Sequence, residues 1–349
     1  MSSIPADYAI EPGQSYVFDL FRPEDAEGVV HLFKTIYGEG YPIRTFIDPK
    51  LLIEENEAGR TISSVARTTK GDIVGHVAIF CSAPYKKVYE SGAGLVHPSY
   101  SGGRGIFSGL GVHGEKTAAP QFGVEVIFGE PVCNHVFSQR AVASAGYITH
   151  TFEVDLIPGT ANDKEKKALG RVSTLLDFKT LKPKPHEVYI PKVYQEPFHY
   201  LYNGLDDKRQ IRVSAAEQSL EIPTDLDIQV FDFAQVARIA VNQVGTDFIT
   251  VLVQEEKKLL ARKVLIIQIW LNLSWPWINA VVLKLQAVNY FLGGLLPRWF
   301  DTDGILMQKI IGRPNWEGIQ LQFDRAKKLF EWVRTDWERT LRGGKPTVT

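Results

Sequence analysis

The 349-residue chain contains two cysteines, Cys81 and Cys133, with no metal-ligand spacing around either. This excludes a disulfide framework and offers no zinc motif, so no metal is expected, and a reducing, cytoplasmic setting is. A basic field is missing too. Lys and Arg number 39 against 40 Asp and Glu, a net charge of -1, so overall charge draws the chain neither to nucleic acid nor to an anionic membrane. The opening MSSIPADYAIEPGQS lacks a basic stretch followed by an apolar one, and a secretory signal is not expected. A long uninterrupted apolar run is absent as well: 264-VLIIQIWLNLSWPWINAVVL-283 is broken by Asn272, Ser274, Pro276 and Asn279, and reads as strand, turn and helix. What remains is an ordinary globular balance, 44% apolar and 23% charged, in a chain long enough for two domains.

The first half alternates short strands and helices. 16-YVFDLF-21 reads as a strand, and 23-PEDAEGVVHLFKTIYG-38 as a helix with proline at its first position and acids in its first turn. A second helix follows in 48-DPKLLIEENEAG-59, then a hairpin from 61-TISSVART-68 and 72-DIVGHVAIFC-81. Strand 88–96, a glycine loop, a helix to about Ala119, strand 124–129, helix 135–145 and strand 147–156 complete a mixed sheet. Residues 160–187 are charged and helical at first, then punctuated by proline, and suit a linker. The second half repeats the order: helix 246–263, strand 264–271, Asn272, a helix opened by Pro276, then strands 290–297 and 304–310. A closing amphipathic helix spans 322–341. All seven tryptophans lie between Trp270 and Trp337 and are expected in the core. The expectation is an internal duplication: a domain at 1–159, a linker at 160–187 and a degenerate copy at 188–349.

Two glycine patterns compete in 101-SGGRGIFSGLGVHG-114. Gly109-x-Gly111-x-x-Gly114 spells a dinucleotide fingerprint, which works only when its first glycine ends a strand and opens a helix. Here the strand ends near Val96 and Pro98, which buries those glycines inside the helix and makes a nicotinamide-dependent oxidoreductase the weakest reading. Gly102, Gly103, Arg104 and Gly105 sit between strand and helix, where backbone amides and a helix N-terminus make an anion cradle.

These residues, 90-ESGAGLVHPSYSGGRGIFSGL-110 with 134-NHVFSQRAVASAGY-147, resemble the GNAT superfamily of acyl-CoA-dependent N-acyltransferases. The resemblance implies an α/β fold with tandem GNAT-like domains, each a mixed, mostly antiparallel sheet flanked by helices. It implies acetyl-CoA, or another acyl-CoA, as co-substrate. The diphosphate would lie on Gly102, Gly103, Arg104, Gly105 and Ile106, the pantetheine arm along Leu95 and Val96, and Asn134 near the thiol. The sequence departs from the family pattern in a longer loop, in Ser101 or Gly102 where Arg or Gln leads, in Phe107 where a small residue is common, and in Val142 where a tyrosine often protonates the leaving thiolate. Ser138 and Tyr147 are the nearest substitutes for that acid. Tyr37 and Tyr41 fall where the family shapes its acceptor pocket.

The chemistry sets its own demands. An amine attacking a thioester must be neutral, so a base is required, and strand amides can stabilise the oxyanion. Glu90 is the preferred base; Glu130 and His97 are alternatives. The expected acceptor is a small-molecule amine rather than a protein lysine, since no strongly acidic groove is evident. Homodimerisation stays open, and a non-catalytic acyl-CoA sensor is the rival suggested by Val142 and the altered loop.

Overall fold

A computed structural model describes residues 8–103, 105–159, 170–205, 207–215 and 222–342. The chain packs as two compact units, 1–127 and 128–349.

In the first unit, β1 (Tyr16–Leu20) leads into α1 (Ala26–Tyr37), preceded by a turn with Pro23 at its first position. α2 (Pro49–Glu57) starts where the Asp48 carboxylate accepts the amide N–H groups of Lys50 and Leu51, satisfying donors that a helix start leaves unpaired. The strands β2 (Thr61–Thr68), β3 (Ile73–Phe80) and β4 (Val88–Val96) extend the sheet in the order β1-β2-β3-β4, antiparallel throughout. Each face of this sheet buries its own apolar set. Val29, Leu32 and Phe33 of α1 pack with Val65 and Leu95, while Ile106 and Leu110 of α3 (Ile106–His113) pack with Ala66 and Val77. Beyond α3 the helix widens into a π-turn at Gly114–Ala118 and ends in the short α4 (Ala119–Gln121). β5 (Val126–Gly129) crosses the division between the units.

The second unit continues with α5 (Phe137–Ser144), β6 (Ile148–Ile157) and β7 (Val172–Thr180). Its further elements are β8 (Glu187–Ile190), α6 (Gln195–Tyr202), β9 (Gln210–Val213), β10 (Asp225–Phe231), β11 (Val236–Gln243), α7 (Phe248–Ala261), β12 (Ile266–Asn272), α8 (Ile278–Ala287), β13 (Phe291–Leu296), β14 (Gly304–Ile310) and α9 (Asp324–Leu341). The strand order is β7-β6-β13-β14-β12-β11-β10, antiparallel except for the parallel pair β11/β12. The hairpins β6/β7 and β13/β14 therefore meet edge to edge through β6 and β13, where Gly294 faces Thr151. Gly294 is at φ 141, and a Cβ there would drive into the His150 carbonyl, so the junction requires glycine.

The fold is thus α/β with a mixed, mostly antiparallel sheet. Helix, strand, helix and two strands recur in order as α7, β12, α8, β13 and β14 after α3, β5, α5, β6 and β7. One expectation is corrected. Residues 172–180, read as part of a proline-punctuated linker, form β7, whose first seven residues are buried; the prolines that suggested a linker, Pro183 and Pro185, lie beyond its end. The helix expected from residue 160 falls at 160–169, outside the described residues. The run 264–283 is β12, a turn and α8, and no helix among the described residues is long and apolar enough to cross a membrane. Trp270 and Trp299 are buried, and the other five tryptophans pack against the large apolar cluster of the second unit.

Candidate functional site

The glycine loop of the first unit lies between β4 and α3, and its backbone departs from ordinary L-residue geometry at three positions: Gly102 (φ 90), Gly103 (φ 86) and Gly105 (φ 69). A Cβ on Gly102 or Gly103 would meet nothing within 4 Å, so these glycines are required by torsion and leave the backbone open to a ligand. Gly105 is the N-cap of α3 and offers no side-chain cap, so among the described residues no capping side chain serves the first-turn N–H groups there. A cavity of about 360 Å³ sits over them, bounded by Val96, Tyr100, Gly102, Gly103, Gly105 and Phe107. Arg104 lies outside the described residues. Backbone donors, a helix N-terminus and room for a ligand are what an anionic diphosphate needs.

Two cavity residues were not singled out as binding residues in the sequence. Tyr100 is buried, and its hydroxyl donates to the Glu11 carbonyl (2.7 Å) while accepting the Gln14 N–H (3.0 Å), which pins the turn after β4 to the segment before β1. Phe107 is half exposed, and its ring lies on Gly94, where a Cβ would sit 2.6 Å from the ring edge. The expected small residue is replaced by an aromatic that β4 accommodates with a glycine. Leu95 points away from the cavity, into the core beneath α1, so only its backbone could serve a ligand; Val96 lines the cavity.

The dinucleotide pattern resolves as expected. Gly109 and Gly111 are inside α3 and Gly114 is in the π-turn. Gly109 permits close packing: a Cβ there would collide with the Phe18 ring of β1, whereas Gly111 faces open space.

Glu90 sits near the start of β4, opposite Phe80 of β3. It is grouped with Tyr37 and Tyr41 of the connection after α1: burial, then Tyr37, then Glu90 push the Tyr41 phenol well above its ordinary value. The two phenol rings are 4.9 Å apart and Tyr41 is 4.9 Å from Phe33. The structure therefore brings Tyr37 and Tyr41 together as an aromatic wall, within electrostatic reach of the Glu90 carboxylate. His97 plays a local role, accepting the Ser99 N–H at Nδ1 (3.3 Å) to cap the turn around Pro98.

β4 also carries a bulge. Gly92 pairs with Ala78 and Leu95 with His76, so Ala93 and Gly94 together oppose Val77 alone, and Ala93 is at φ 49. The fully buried His76 joins its Nδ1 to the Ala93 carbonyl (2.9 Å) and its Nε2 to Ser63 Oγ (3.0 Å). Burial lowers its pKa to about 4, so the ring is neutral near pH 7 and Nδ1 carries the proton donated to Ala93.

The remaining sequence candidates belong to the second unit. Glu130 is 3.5 Å from the Arg238 guanidinium, which also lies 3.7 Å from the buried Glu153. Ahead of α5, Asn134 Oδ1 is shielded from solvent and has no hydrogen-bond partner among the described residues, and the same holds for Ser138 Oγ within α5. Such groups are satisfied in most proteins, and a ligand amide or hydroxyl would satisfy these. Val142 packs on Gly129, so no acid stands there; the Tyr147 ring lies beneath Lys179 Nζ at 5.7 Å. The second copy has no open cradle at Gln243–Thr246. The Gly245 N–H donates to Thr224 Oγ1 (3.0 Å), whose own N–H and hydroxyl bond Asp247, and a Cβ on Gly245 would strike the Ile222 carbonyl. The chain itself fills the space that glycines leave open in the first copy.

The strand, loop, helix, strand, helix, strand order of the described chain is the one that the GNAT resemblance implies. No family model matches the chain, and no curated protein matches it. Solved structures are similar to it over about half of its length. One is a Salmonella typhimurium protein solved with its cofactor acetyl-CoA, at 14% identity over 48% of this chain and 95% of that one, with a TM-score of 0.38. Another is an N-acetyltransferase from Staphylococcus aureus, at 13% identity over 48% and 99%, TM-score 0.39. A third is a ribosomal-protein-alanine N-acetyltransferase from Brucella melitensis, at 16% identity over 47% and 99%, TM-score 0.37.

Proposed function

We propose that the chain is an N-acyltransferase that moves an acetyl or other acyl group from coenzyme A to a primary amine by direct attack on the thioester. One observation carries the reading: the open cavity at Gly102, Gly103 and Gly105, where left-handed glycines and an uncapped helix N-terminus combine. These residues would hold the coenzyme A diphosphate; the thioester, when bound, supplies the activated acyl carbon.

Glu90 takes the amine proton, directly or through water, while Tyr37 and Tyr41 form an aromatic wall for the acceptor. The amine nitrogen bonds to the acyl carbon, the carbon–sulfur bond breaks, and the thiolate leaves. With Val142 in place of an acid, the thiolate departs unaided or takes its proton from Ser138 or Tyr147. The acceptor is a small-molecule amine rather than a lysine on a protein, on the ground that no strongly acidic groove for a basic peptide is evident in the sequence, and the protein works in the cytoplasm without a resident metal. The tandem arrangement is read as a cofactor-binding domain at 1–159 and a degenerate copy at 188–349, whose loop is filled by Thr224. The rival reading, a non-catalytic acyl-CoA sensor or assembly protein, is favoured by Val142 and the altered loop.

Calorimetric titration with acetyl-CoA and, separately, NADH tests the proposal, followed by thiol release in the presence of primary amines. Acetyl-CoA binding with thiol release supports it. Binding without turnover across the amines favours the sensor, and NADH binding alone would overturn both.

A further inference from the structure

Between Glu90, near the start of β4, and Val96, which lines the cradle cavity, the strand carries four small, half-buried residues in a row: Ser91, Gly92, Ala93 and Gly94. A diphosphate on the cradle and a thioester beside Glu90 are two parts of one ligand, so the arm that joins them must run past Gly94, roughly 13 Å from Glu90 at the rise of an extended strand. Phe107 stands at that point. Its ring reaches from the first turn of α3 onto Gly94, where a Cβ would lie 2.6 and 3.1 Å from two ring carbons and 3.3 Å from Val77. Gly94 is not among the glycines at positive φ, so room for this ring, rather than torsion, is what calls for glycine there. The ring has a fitted seat, and while it is seated no arm passes between it and the strand.

The seat is also easily left. Phe107 is half exposed, so only part of the ring is held. As the second residue of α3 it has no helical turn before it, and side-chain rotamers that crowd a phenylalanine in mid-helix are open to it. We propose that Phe107 is a gate on the cradle: its ring, seated on Gly94, closes the path from the glycine loop to Glu90, and an acyl-CoA binds by displacing it. This rests on the acyl-CoA reading of the first unit. A closed gate lowers apparent affinity by the fraction of molecules that stand open, and covering half of a phenylalanine side chain is worth about three- to ten-fold in that fraction. A ligand that ends at its diphosphate, such as ADP, binds without opening the gate.

Calorimetric titration of the native protein, F107L and F107A with acetyl-CoA and, separately, with ADP is the test, and it needs neither acceptor nor turnover. F107A tightens acetyl-CoA by about three- to ten-fold and F107L by less, while ADP stays within about two-fold of the native protein in both. The ADP titrations thus report that the cradle is intact in each variant. A ring that served instead as a surface for the arm to lie on would lose acetyl-CoA affinity on truncation, more in F107A than in F107L. Acetyl-CoA affinity that is unchanged or weaker in F107A therefore overturns the inference, as does an equal change for both ligands, and either result leaves the cofactor reading standing. Binding of acetyl-CoA by neither the native protein nor F107A overturns that reading and the inference with it.

Discussion

Gly105 caps α3 at φ 69 and ψ 11, in the left-handed region, and a Cβ there would meet only Ser108 Oγ at 3.8 Å. Space is therefore available and torsion alone demands glycine. Replacing it by asparagine, alanine or valine separates the two effects. Asparagine visits the left-handed region routinely, alanine there costs about 1–2 kcal/mol, and a β-branched valine costs more. If the loop relaxes away from this conformation in the free protein, the cost reappears on binding, because only the competent fraction takes up the ligand. Acetyl-CoA affinity, read by calorimetry, then falls about 5- to 30-fold for G105A, further for G105V, and within about three-fold for G105N. Where the loop is held regardless, the same cost appears as a lower urea midpoint, so affinity and stability are measured on each variant and their losses added. Equal damage from asparagine and valine would refute the torsional argument.

Three further outcomes follow from the geometry. G111A raises stability by about 0.5–1 kcal/mol because alanine fits an open helix position, while G109A gains the same propensity and loses about 1–3 kcal/mol against the Phe18 ring; paired urea titrations check the order, and F18L should rescue G109A. E90Q leaves acetyl-CoA affinity unchanged and slows thiol release with amines about 10²- to 10⁴-fold, with loss of the acidic limb of the rate profile; an unchanged rate removes Glu90 as base. The folded His76 titrates at about 4 against 6.5 in the open chain, so below 6.5 the unfolded state binds the extra proton. Stability from this group is complete above about pH 6.5 and falls by about 3 kcal/mol by pH 4, and urea unfolding of H76N should show a correspondingly shallower acid slope between those values.

Much of the fold was legible because its signals are local. Hydrophobic periodicity marked α1, the β2/β3 hairpin, α7 and α9, and Asp48 and Pro23 marked helix starts. The glycine cradle was legible for the same reason: strand, turn and helix adjoin in sequence. β7 was hidden because both of its faces are buried, which erases alternation, and because prolines follow closely. What escaped at the site depends on pairing across distance. Nothing in 73-IVGHVAIF-80 foretells that His76 will face a bulge 17 residues away, and Glu130 gives no sign of Arg238, 108 residues further on. Nor does Gly245 announce that Thr224 will occupy its amide.

The meeting of β6 with β13 has a consequence for how such a chain can be cut. The strand order β7-β6-β13-β14 reads the same from either end, as the interface of a two-fold dimer would, with one copy's hairpin edge laid against the other's. Here both partners are on one polypeptide, so the effective concentration of each edge for the other is set by the tether rather than by expression level. A fragment ended after residue 180, which keeps the β6/β7 hairpin, would set that edge free. Its open ladder would recruit a second fragment, and self-association through β6 is the expected fate of the separated half.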